Sequence, residues 1–233
     1  MTTSEDEDAE LAALNVLADP VRRGLYRQVA ASPEEVGRDA AAEAAGVSRS
    51  LAAFHLDRLV EAGLLAVSYR RLSGRTGPGA GRPAKMYRRA EGEHALSVPP
   101  RTYDTASRLL AEVIEAAGLD RKLQAAARAA GEAAGGAEGG APSEADPLEV
   151  LRARGYQPYR EPSRDPDHAT VRLNNCPFHA LADEFPALVC GMNLALIEGL
   201  LAGHPDGAED WTASMDPRPG RCCVALTSKT NQH

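Results

Sequence analysis

Leu11, Leu14, Leu17, Val21, Leu25 and Val29 recur at helical spacing across residues 10–31, and Pro20 stands where it can divide the run into two helices. Ser32-Pro33-Glu34-Glu35 has the composition of a helix start, a capping hydroxyl followed by Pro and two acids, and predicts an Ala-rich helix that stops at Gly46. Val47-Ser48 opens a third helix whose apolar face is Leu51, Leu56, Leu59 and Val60. Ala62-Gly63-Leu64-Leu65 then carries the chain into an extended stretch. Residues 64–89 read as strand, Gly/Pro-rich loop and strand: LLAVSYRRL, SGRTGPGAGRPA and KMYRR.

Farther on, Leu109, Leu110, Val113, Ile114, Leu119 and Leu123 give residues 101–131 an apolar helical face, suited either to pairing two chains or to packing on its own domain. EAAGGAEGGAPSEAD, residues 132–146, is a low-complexity linker and marks a domain boundary. Beyond it come a helix ending at Gly155, strands at YQPYR and ATVRL, a long apolar helix over about residues 186–202, and a closing strand at RCCVAL. Alternating helices and strands over so short a stretch predict a small α/β or α+β module. The expected organisation is an acidic disordered tail (1–9), a helical trio with a β hairpin (10–92), a helical dimerisation segment (93–131), the linker (132–146) and a cysteine-containing domain (147–233).

Composition sharpens this picture. The chain has 233 residues but only 3 Phe, 1 Trp and 6 Tyr, so its core is built from Leu, Val and Ala, which favours helix packing. No apolar run approaches the roughly 18 residues of a membrane span, and Glu5, Asp6, Glu7, Asp8 and Glu10 are the reverse of a signal peptide's basic start. A cytoplasmic protein with no membrane partner is expected. The net charge is −7, yet residues 48–90 hold nine Arg/Lys against Asp57 and Glu61, and the hairpin from Ser68 to Ala90 has no acid at all.

A basic hairpin after a helical trio is the outline of a winged helix-turn-helix. VSRSLAAFHLDRLVEAGLL resembles the turn, recognition helix and exit of ArsR-like transcriptional regulators, and GRPAKMY resembles the wing of one branch of them. The resemblance covers about residues 10–92 and implies a mainly α fold with a β wing that binds a double-stranded DNA operator as a homodimer. Ser48, Arg49 and Ser50 lie at the start of the recognition helix, with Arg49 the best placed for a base contact. Arg58 suits a phosphate or an acidic neighbour, and Arg75, Arg82 and Lys85 suit phosphate and minor-groove contacts from the wing. Phe54 could meet thymine methyl groups, but an aromatic on an Ala-rich helix is more often core. His55 suits a structural role.

The four cysteines, Cys176, Cys190, Cys222 and Cys223, all fall in the last quarter of the chain. In a reducing compartment they point to a metal or redox site rather than to disulfides, and no Cys-x-x-Cys clip of a structural zinc module is present. Cys176 precedes a predicted helix start, whose amides would favour the thiolate, and His179 follows three residues on as a further ligand. Cys222 and Cys223 would point to opposite faces of a strand, leaving one as ligand. This spread of cysteines behind an ArsR-like domain resembles SufR-like iron–sulfur regulators and implies a cluster that controls DNA affinity, with zinc or a small molecule bound near Phe178, Leu188, Met192 and Trp211 as the alternatives. No nucleophile elbow, phosphate loop or His-Glu-x-x-His motif is present, so no enzyme is expected.

Overall fold

In the computed structural model, which describes residues 4–71, 83–94, 97, 99, 101–136, 147–162, 169–204 and 211–228, the first helical run breaks at Asp19-Pro20. Helix α1 spans Ser4–Val16 and α2 spans Pro20–Ala31. Asp19 caps α2 by accepting the Arg22 N–H at 2.9 Å, which also holds its carboxyl below the usual range, and Pro20 takes the first position, where no N–H is needed. The expected disordered tail is helical from Ser4.

Ser32 corrects the sequence reading more fully. It ends α2, its N–H donating to the Val29 carbonyl at 3.2 Å, instead of opening the next helix. The chain first forms strand β1 (Val36–Gly37), and α3 (Arg38–Ala45) follows from Gly37. The reason is non-local: β1 pairs antiparallel with β3 (Ala84–Arg89), setting Val36 opposite Tyr87. Gly46, at φ 63°, turns the chain out of α3 in the left-handed region, as its position predicts. Helix α4 (Arg49–Glu61) starts at Ser48, whose Oγ accepts the Leu51 N–H at 3.3 Å. Strand β2 (Leu65–Arg70) pairs antiparallel with β3 from Leu65↔Arg89 to Arg70↔Ala84, giving the sheet order β1-β3-β2. Leu25, Val29, Ala52, Leu56, Leu59 and Tyr87 form the core of this unit.

The chain divides into two compact units, Met1–Arg101 and Thr102–His233. The second contains α5 (Tyr103–Ala116), α6 (Asp120–Gly136), α7 (Pro147–Ala153), β4 (Pro158–Arg160), β5 (Thr170–Leu173), α8 (His179–Glu184), α9 (Pro186–Gly203), β6 (Trp211–Met215) and β7 (Val224–Ser228). The segment expected to stand apart as a dimerisation element thus belongs to the cysteine-containing unit, and α6 runs five residues into the expected linker. Residues 137–146 lie outside the described residues. The strands form one sheet in the order β4-β5-β7-β6 with every pairing antiparallel, so this unit is α+β.

Two glycine pairs explain why α6 folds here. Gly131 and Gly135 on α6 face Gly199 and Gly203 on α9, and the backbones approach so closely that a Cβ at Gly131 would stand 2.3 Å from the Leu196 carbonyl oxygen and one at Gly199 2.1 Å from that of Arg128. Each pair is four residues apart, one helical turn, so each helix presents a continuous groove to the other. Helix α9 also corrects the sequence expectation about membrane spans: its 18 residues are long and apolar enough to cross one. Within this unit it serves as a core helix, with Leu188, Val189, Ile197, Leu200 and Leu201 buried against α6, α8 and the sheet.

Candidate nucleic-acid interface and thiol cluster

Helix α4 buries Ala52, His55, Leu56 and Leu59 and exposes Arg49, Ser50, Leu51, Phe54 and Arg58. Phe54 is 54% exposed and Leu51 40%, so the expectation that both serve the core is overturned. The 3.6-residue period explains it: with Ala52, Leu56 and Leu59 inward, residues 51 and 54 fall on the opposite side. Ser48 and Ser50 share a hydrogen bond at 3.2 Å at the helix start. Arg49 pairs with Asp39 at 2.7 Å, both side chains being more than two-thirds exposed, and so exposed a pair contributes little to stability. Arg58 pairs with Glu61 at 3.0 Å and lies over the Phe54 ring, 5.7 Å from its centroid.

Behind this face, Asp57 gathers three partners. Lys85 and Tyr87 of β3 each donate to its Oδ1 at 2.7 Å, and Arg38 of α3 donates to Oδ2 at 3.0 Å. Arg38 also donates to the Tyr87 hydroxyl at 2.8 Å. Burial alone would raise the Asp57 pKa, but the hydrogen bonds from Lys85 and Tyr87 and the charges of Lys85 and Arg38 outweigh it and hold the carboxyl below its ordinary value. Burial first, and then the bond to Asp57, push the Tyr87 hydroxyl up to about 12, so it remains a donor at neutral pH. Lys85, expected at the DNA, is engaged inside the protein. Arg88 likewise finds an acid, Glu91, at 3.3 Å, although the hairpin itself has none. Arg75 and Arg82 lie outside the described residues.

Residues 17–68 match the family model of a helix-turn-helix domain. That span runs from the end of α1 through α4 into β2, so the N-terminal unit carries a helix-turn-helix domain, the kind with which transcription regulators bind DNA. No curated protein matches the chain. No solved structure matches it either.

In the second unit the cysteines come from three places: Cys176 from the segment between β5 and α8, Cys190 from α9, and Cys222 and Cys223 from the segment that leads into β7. Cys222 is the strongest influence on the ionisation of Cys176, and Cys176 and Cys223 are the strongest on that of Cys222. Fully buried Asn193 stands between them: its amide donates to Cys222 Sγ at 3.3 Å and lies 4.0 Å from Cys176 Sγ, while Tyr156 donates to its Oδ1 at 2.5 Å. Cys190 is one turn before Asn193 on the same helix and packs in the same core cluster.

Three expectations change at this cluster. Cys222 and Cys223 precede β7 rather than alternate within it, their backbone bonding to Leu173 and Asp216, so strand pleating does not set them on opposite sides. Helix α8 starts at His179, three residues after Cys176; Cys222 and then burial push the Cys176 thiol up, against the weaker opposite pull of the Phe178 amide. His179 is exposed and faces Asp183 at 3.5 Å rather than the thiols. Among the described residues no group of three or more His, Cys, Asp or Glu is arranged to hold a metal ion. Leu188 and Met192 pack in one core cluster, Trp211 lies in another, and Phe178 packs against both.

Proposed function

We propose that the chain is a homodimeric, sequence-specific DNA-binding regulator of transcription in the cytoplasm, with DNA affinity controlled through the cysteines of its second unit. The observation that carries the DNA-binding part is the exposed polar and basic start of α4, Ser48 to Ser50, within a matched helix-turn-helix domain. Asp57 braces this helix against β3, which supports a rigid base for the wing. The two-fold partner is supported by α5, which leaves Leu109, Leu110 and Val113 each more than half exposed.

For the controlling site, the donor chemistry favours an iron–sulfur cluster held by Cys176, Cys222 and Cys223 with Cys190 from α9. Sulfur ligands suit such a cluster, and the buried Asn193 amide is a hydrogen-bond donor directed at the sulfurs, the kind of contact that tunes a cluster's potential. When bound, the cluster would supply an oxidation-sensitive charge within the core. Tyr156 orients Asn193 by donating to its oxygen, and Cys222 and Cys223 are buried in the surrounding core while Cys176 and Cys190 are partly exposed at its edge.

Anaerobic purification followed by a visible absorption spectrum and iron, sulfide and zinc analysis tests this site. Iron and sulfide with a visible chromophore lost in Cys176→Ser support the reading. A colourless protein with stoichiometric zinc would assign the thiols to zinc. A metal-free protein whose Cys176→Ser variant regulates normally would remove metal control altogether.

A further inference from the structure

The exposed apolar pair on α4 has no counterpart elsewhere on that helix. Leu51 and Phe54 stand three residues apart on the same side as Ser50 and Arg58, and they project where a helix-turn-helix presents its reading surface. Phe54 is held in place: its ring meets the ring of buried His55 edge-on, at 5.3 Å and 67°, and the Arg58 guanidinium covers it. His55 is itself fixed by the Arg22 Nε–H at 3.3 Å, and Arg58 by Glu61. A large apolar side chain fixed in this way loses little freedom when a partner covers it.

The patch is flanked on α4 by two arginines, each held by an exposed acid, Arg49 by Asp39 and Arg58 by Glu61. Elsewhere in the same unit, Arg70 and Arg71 are exposed at the end of β2. That charge matches a nucleic-acid backbone and disfavours a purely apolar partner. Among the base edges of the major groove, the apolar group available to Leu and Phe is the C5-methyl of thymine.

We infer that Phe54 and Leu51 read thymine methyl groups in each operator half-site and thereby set part of the sequence specificity. The inference rests on the DNA-binding reading above and deepens it. Burying one methyl group corresponds to about a fourfold change in affinity, and a close contact with both side chains to about tenfold.

The test begins with selection of duplexes from a random-sequence library by the full-length protein. The selected site is then synthesised with deoxyuridine in place of each thymidine in turn, which removes only the methyl group. Expected are one or two positions per half-site at which deoxyuridine weakens binding about four- to tenfold. Phe54→Ala should abolish the discrimination at one of them, Phe54→Leu should keep part of it, and Arg49→Ala should weaken binding while leaving it intact. Equal affinity for thymidine and deoxyuridine at every position, or discrimination that survives in both Phe54→Ala and Leu51→Ala, overturns the inference. If Phe54→Ala instead changes only the sedimentation coefficient, the patch is a protein contact and the inference fails. A library from which no sequence is enriched would defeat the DNA-binding reading itself.

Discussion

Tyr87 donates its hydroxyl hydrogen to Asp57 at 2.7 Å, a single bond that ties the central strand of the first sheet to the helix expected to read DNA. The same carboxylate holds Lys85 and Arg38, so α3, α4 and β3 meet at one acid.

Asp57→Asn removes the negative charge while leaving Arg38 and Lys85 close together. It is expected to destabilise the first unit by about 1–3 kcal/mol at neutral pH. Since the folded pKa of Asp57 is depressed, its contribution is present above the unfolded carboxylate value and is lost as pH falls through the folded one. Melting temperatures of the wild type and Asp57→Asn should therefore differ near about pH 7 and converge toward about pH 2. A difference that stays constant over that range would show that Asp57 does not act through its charge.

Gly131→Ala and Gly199→Ala each press a methyl group into the backbone of the facing helix and should cost about 2–4 kcal/mol or block folding of the second unit. Gly24 in α2 is the control. Nothing lies within 4 Å of a Cβ there, and Gly24→Ala should stabilise the first unit by about 0.5–1 kcal/mol. Thermal unfolding followed by circular dichroism measures both effects.

Dimerisation through α5 should be lost when Leu110 and Val113 are both replaced by Asp. Their exposures of 63% and 66% mean that the fold itself tolerates the change. Sedimentation velocity should show a dimer for the wild type and a folded monomer for the double variant. A variant that remains dimeric would place the contact elsewhere.

DNA affinity should fall about a hundredfold or more between roughly 50 and 200 mM salt, as counterion release requires. Arg49→Ala should weaken specific binding by about 1–3 kcal/mol and Arg82→Ala should lower the salt dependence. Fluorescence anisotropy titrations at several salt concentrations separate the two effects. Lys85→Ala is expected to act mainly on stability, because Lys85 is paired with Asp57.

Local pattern determined much of the first unit. The helical spacing of Leu25, Val29, Leu56 and Leu59, the cap at Ser48 and the left-handed turn at Gly46 are decided by neighbours within a few residues, and all stand where the sequence places them. The helix-turn-helix was legible for the same reason. Ser32 was not, because β1 exists only through its pairing with a strand far along the chain, and the local cap signal yields to that pairing. Phe54 was misjudged because residue type alone says nothing about which side of the helix the rest of the unit covers.

At the cysteines the balance is different. The sequence by itself determined that all four thiols belong to one part of the chain, and it gave no sign that Asn193 and Tyr156 would join them. Tertiary structure decided that Cys176 and Cys222 meet beside Asn193, that His179 turns toward Asp183, and that the glycines of α6 and α9 close on one another. The physical reason is that these contacts join segments far apart in sequence. Their partners are chosen by the packing of the whole unit, whereas helix caps and amphipathic faces are chosen by the few residues around them.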